Sequence, residues 1–192
     1  MIHKSAFYVA EFLEQKKFIS EYEKGIYVYG MEIIFSTIIS NVLIITEGII
    51  LGDIWGAVLF IAIVRPLRKT VGGYHASTHA TCCLMTMFMF GFSEVICVCI
   101  KGRVFLEMML FLITLKGLWN ANPDELLVDS IGQKAVENNM KRKKSLLIFY
   151  SIIICIGMIT NTDQSGNVLS GMTIVDSDRI IGRHIKEWRE KF

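Results

Sequence analysis

Long apolar blocks separated by short charged links constrain this chain more than any other feature. Apolar runs occupy about residues 26–46, 49–64, 81–100, 104–119 and 146–160, and the charged residues collect between them. A helix needs about 17–25 such residues to cross a hydrocarbon core about 30 Å thick. In that solvent every backbone N–H and C=O must be bonded internally, which leaves helices and closed barrels as the spanning forms. The expectation is an all-α polytopic membrane bundle of about five spans. The runs 49–64, 104–119 and 146–160 are short for a full crossing, so tilt, local thinning or re-entrance is expected there. Composition agrees. The chain is 53% hydrophobic, against roughly 45–50% for a soluble domain. Its length of 192 residues alone would have suggested one or two soluble domains.

Residues 4–24 read as an amphipathic helix. Phe7, Tyr8, Phe12, Ile19 and Tyr22 recur among charges at roughly helical spacing, as in a helix lying in the membrane interface or packing on the bundle. The same charges leave no room there for the apolar core of a secretory leader. Lys and Arg then orient the spans. They cluster in residues 1–25, in 65–80 (Arg65, Arg68, Lys69) and in 120–145 (Lys134 and the run 141–144), whereas the opposite links carry only Lys101 and Arg103. The positive-inside rule puts the N-terminus and these two loops in the cytoplasm.

The C-terminal part breaks that pattern. The chain divides into a membrane domain, 1–160, and a polar tail, 161–192, with an amphipathic helix over 178–192 that Ser177 can cap. The tail helix carries Arg179, Arg183, Lys186, Arg189 and Lys191, which is contrary to an outside location. Either the fifth span does not cross or the chain returns through 161–176, a stretch of poor composition for crossing. Among charges within the apolar runs, Glu32 and Glu94 are expected to face the interior or a wet cavity, and Glu47 and Glu107 an interface, because a central charge costs about 2.5–3.5 kcal/mol.

Reactive side chains gather in residues 65–83, RPLRKTVGGYHASTHATCC. Arg65 and Pro66 are expected to end the second span. Gly72 and Gly73 give a backbone free to take positive φ. Ser77 or Thr78 can cap the next helix, which places Cys82 and Cys83 in or just beyond its first turn. A helix N-terminus and nearby Arg68 and Lys69 favour a thiolate nucleophile, and a histidine is the usual base beside it. His79 lies three and four residues before the two cysteines, so on a continuous helix it neighbours both. His75 would be about 10.5 Å from Cys82 along one unbroken helix, so it reaches Cys82 only if the helix starts after it. On geometry alone His79 is slightly favoured. The other cysteines, Cys97, Cys99 and Cys155, read as free thiols in apolar runs.

The run Arg68-Lys69, Gly72-Gly73-Tyr74-His75-Ala76, Thr78 and Cys82 resembles the signature of the accessory gene regulator B (AgrB-like) family, multi-pass bacterial membrane cysteine endopeptidases of quorum sensing. The resemblance extends over about residues 1–160. It implies that His75 and Cys82 are the catalytic pair, with Arg68 and Gly73 supporting, and so it reverses the preference for His79. It also implies the chemistry. An AgrD-like propeptide is cut near its C-terminus through a thioester on the enzyme, and a cysteine of the peptide closes a thiolactone ring. No metal or other cofactor is needed. The partners implied are that propeptide and the lipid bilayer, with no nucleic acid; a homodimer is an open alternative to a monomer. The chain departs from the family at 121–124, where a proline-centred, lysine-bearing loop is only partly matched, and at 161–176, where a last apolar segment is replaced by polar sequence.

Two rival readings remain at this point. His75 and His79 with Cys82 or Cys83 have a spacing that can hold zinc, although no His-Glu-x-x-His glutamate is present to act as base. A small membrane transporter or scaffold, with these residues as packing groups, is the non-enzymatic alternative.

Overall fold

A computed structural model describes residues 2–72, 78–121, 133–160 and 162–191. Among them are seven α-helices and no strand: α1 (Ile2–Gln15), α2 (Lys24–Leu51), α3 (Ile54–Val71), α4 (His79–Ile100), α5 (Val104–Trp119), α6 (Gln133–Thr160) and α7 (Asp163–Lys191). The all-α expectation holds. Three helical stretches, Glu21–Leu51, Ala80–Ile100 and Val136–Thr160, are long and apolar enough to cross a membrane. Helices α3 and α5 have 18 and 16 residues, lengths of roughly 27 and 24 Å at 1.5 Å per residue.

The expected amphipathic helix is α1, which is shorter than 4–24. It stops at Gln15, and Lys17 turns the chain with φ of 58°. Ala6 and Ala10 pack on Val28 of α2, while Phe7, Tyr8 and Phe12 stay exposed. Glu14 bonds Lys24 at 2.7 Å, and His3 Nδ1 lies 2.5 Å from Glu32. Glu32 is therefore met by α1 rather than by the centre of the bundle.

The turn between α2 and α3 falls later than the apolar pattern suggested. Gly52 ends α2 at φ 80°, a conformation that favours glycine, and Asp53 caps α3 by accepting from Gly56 N–H at 2.7 Å. At its other end, α3 does not stop at Arg65 and Pro66 but continues to Val71. Proline has no N–H for the carbonyl four residues back, which is Ala62. The Tyr150 hydroxyl donates to that oxygen at 2.9 Å, so α6 supplies the bond that Pro66 cannot.

Helix α7 is the core of the bundle. It packs against α3, α4, α5 and α6, and every residue from 165 to 172 is buried. Its polar residues bond the surrounding helices. Ser170 pairs with Ser93 of α4 (2.8 Å), Thr173 with Thr114 of α5 (3.2 Å), and Asn167 donates to Asp53 (2.9 Å) and accepts from Cys97 (2.7 Å). A helix surrounded by protein finds such partners, whereas one facing lipid does not. From Asp163 on, the polar stretch therefore runs back through the bundle and into the basic tail as a single helix. Ser177 lies within it and donates to Thr173 O at 2.9 Å rather than capping a start. Glu107, expected at an interface, is buried at 8% exposure.

One end of the bundle collects the basic segments. The last turn of α3 carries Arg68 and Lys69, and Arg68 pairs with Asp178 of α7. Lys143 of α6 is fully buried and donates to Trp119 O (3.1 Å) and Ala121 O (2.5 Å), closing the C-terminus of α5 with a cation. The start of the tail, at Asp178 and Arg179, lies at this same end beside Arg68.

Candidate active site

The site is built where α3 ends and α4 begins. Gly72 closes α3 with φ of 80°, and its N–H bonds Arg68 O at 2.9 Å. Thr78 is in extended conformation and caps α4, accepting from Thr81 N–H at 3.2 Å. Thr78 is one of the two expected caps, and the other, Ser77, lies outside the described residues. Cys82 N–H bonds Thr78 O at 3.0 Å, so the cysteine closes the first turn, where the unpaired amides and the positive end of the helix dipole lie. The helix carrying Cys82 starts at His79, after His75, as a pairing of those two residues requires. His75 and Gly73 lie outside the described residues.

The two adjacent cysteines face different surroundings. Cys83 is buried, with its sulfur 3.0 Å from Ser40 Oγ in the contact between α4 and α2. Cys82 is half-buried and lines an open cleft of about 350 Å³ between α2, α3 and α4. Ile44, Phe60, Ile61 and Val64 form its apolar wall, and Arg65, Arg68 and Lys69 bring three cations to it. Arg65 is tied to α2 by a bond of 3.2 Å to Thr37 O. Arg68 Nε lies 3.1 Å from Asp178 Oδ2, with side chains 17% and 3% exposed. The cleft thus combines a reachable thiol, fixed positive charge and an apolar wall. Such a site can hold a carbonyl at sulfur beside an apolar group.

Sequence reasoning missed three groups here. Arg65 was read as a helix end, but the continuation of α3 turns it to the cleft. Asp178 was read as the first residue of an amphipathic tail helix. Lys143 was counted only as a topogenic charge. No local signal in the sequence marks these roles, since each depends on which helices become neighbours.

The described residues define a helical bundle with membrane-length apolar helices and a cysteine at a capped helix start, open to a cation-lined cleft. The family model described as Accessory gene regulator B matches residues 6–176. The chain belongs to that family, which places it in the accessory gene regulator system of quorum sensing. No curated protein and no solved structure matches it.

Proposed function

We propose that this protein is a multi-pass membrane cysteine endopeptidase that cuts an AgrD-like propeptide near its C-terminus and promotes closure of a thiolactone ring. The observation that carries the reading is the division of labour between the two cysteines. Cys82 opens to the cationic cleft, while Cys83 is packed against Ser40. In this mechanism His75 takes the Cys82 proton. The sulfur attacks the scissile carbonyl, the C–N bond breaks, and the proton passes to the leaving amine. A cysteine of the peptide then attacks the thioester, and Cys82 leaves as thiolate. Slow access of water at a membrane edge keeps the acyl group for ring closure. Arg68 and Gly73 support the site. The loops around 65–80 and 120–145 face the cytoplasm.

The test is cleavage of a cognate propeptide in membranes. Cys82→Ser is expected to abolish it, and Cys83→Ser to leave most of it. Activity surviving in Cys82→Ser and lost in Cys83→Ser would reverse the assignment.

A further inference from the structure

Helix α7 meets the wall of the cleft through an ion pair with one of its lining residues, Arg68. Its register is fixed deep in the bundle by the Ser170–Ser93 and Thr173–Thr114 bonds. Two turns on from Ser170, it delivers Asp178 to Arg68. The carboxylate is buried, at 3% side-chain exposure, and lies 3.1 Å from Arg68 Nε. The neighbouring carboxylate, Asp176, is engaged by Arg179, whose Nη2 and Nε donate to it at 2.7 and 3.2 Å. Asp178 is thus the acid of this turn that meets the cleft-lining Arg68. A buried ion pair of this kind contributes little net stability compared with apolar packing. What it supplies is a fixed direction for the guanidinium, because Arg68 stands on the last turn of α3, next to the glycine that ends the helix.

We propose that Asp178 is a positioning residue of the site: it holds the Arg68 guanidinium at the cleft wall so that its charge faces the Cys82 thiol and the peptide group bound there. The role rests on the reading of the cleft as a thiol peptidase site. The helix at the heart of the bundle is then part of the catalytic unit.

The experiment uses the full chain in nanodiscs and needs no propeptide. Cys82 is alkylated with iodoacetate, an anion, or with iodoacetamide, its neutral analogue, and each adduct is quantified at Cys82 by tandem mass spectrometry. The ratio of the two rates reports the positive potential at the sulfur. Arg68→Gln sets the value without the guanidinium. Removing a negative charge alone, in Asp178→Asn, raises the preference for the anion. Releasing Arg68 from its position lowers it. The expected result is a fall on the order of 3–10-fold, toward the Arg68→Gln value, the size expected when a unit charge retreats a few ångströms at an effective dielectric near 20. Asp176→Asn is expected to keep the wild-type ratio. An Asp178→Asn ratio equal to or above wild type overturns the proposal. If Asp178→Asn does not accumulate folded, Asp178→Ser is read in the same way. Because the readout is alkylation, absence of peptide cleavage by the wild type would count against the proposed function without touching this result.

Discussion

The phenolic hydroxyl of Tyr150 completes a helix to which it does not belong. Pro66 leaves Ala62 O without its intrahelical donor, and the 2.9 Å bond from Tyr150 replaces it at a site where the tyrosine is only 6% exposed. An orphaned buried acceptor costs about 1–3 kcal/mol, although interhelical bonds in membranes average nearer 0.6. Tyr150→Phe is expected to lower stability by about 1 kcal/mol, read as a shift in thermal unfolding in nanodiscs. In a Pro66→Ala background the N–H returns and the same change is expected to cost close to nothing. An undiminished cost in that background would mean that the hydroxyl does something else. Lys143 is a second case, a buried cation whose worth lies in the two carbonyls it closes.

At the scale of elements, helix α7 inverts the expectation drawn from its composition. A scale that measures transfer to lipid finds 161–176 unsuitable for crossing, and rightly so for a lipid-facing helix. Buried on all sides over 165–172, this segment faces other helices, and small and polar residues favour close approach and interhelical bonds. The three membrane-length apolar helices, legible in the sequence, remain mostly exposed: 17%, 22% and 28% of their apolar windows are buried within the protein. The break at Gly72 and the Thr78 cap were also legible, because both are local chemistry. The extent of α3 and the partners of Arg65 and Asp178 were not, because they arise only once helices distant in sequence pack together. A chain ended at Thr160 removes the element shared by α3, α4, α5 and α6. It is expected to lose its monodisperse peak in fluorescence-detected size-exclusion chromatography. A normal peak would show that α7 is dispensable to the fold.

Taken whole, the molecule has one strongly basic end. Arg65, Arg68 and Lys69 line the cleft there, Lys143 closes α5, and Arg68 meets the part of α7 that leads into the basic tail. The family match to residues 6–176 includes most of that helix's buried part. The proposed orientation puts this end in the cytoplasm, so single cysteines placed at the exposed positions Lys69 and Arg142 are expected to resist an impermeant maleimide in intact cells and to react after lysis. Ready labelling of both in intact cells would reverse the orientation.

The proposed mechanism requires the acyl group to be held on the sulfur of Cys82. The direct measurement is to incubate the full chain in nanodiscs with its propeptide, quench in acid and map the covalent adduct. The expected result is the N-terminal fragment of the peptide joined to Cys82 and released by neutral hydroxylamine, as a thioester is. An adduct on Cys83, or peptide cut with no acyl group ever found on Cys82, would contradict it.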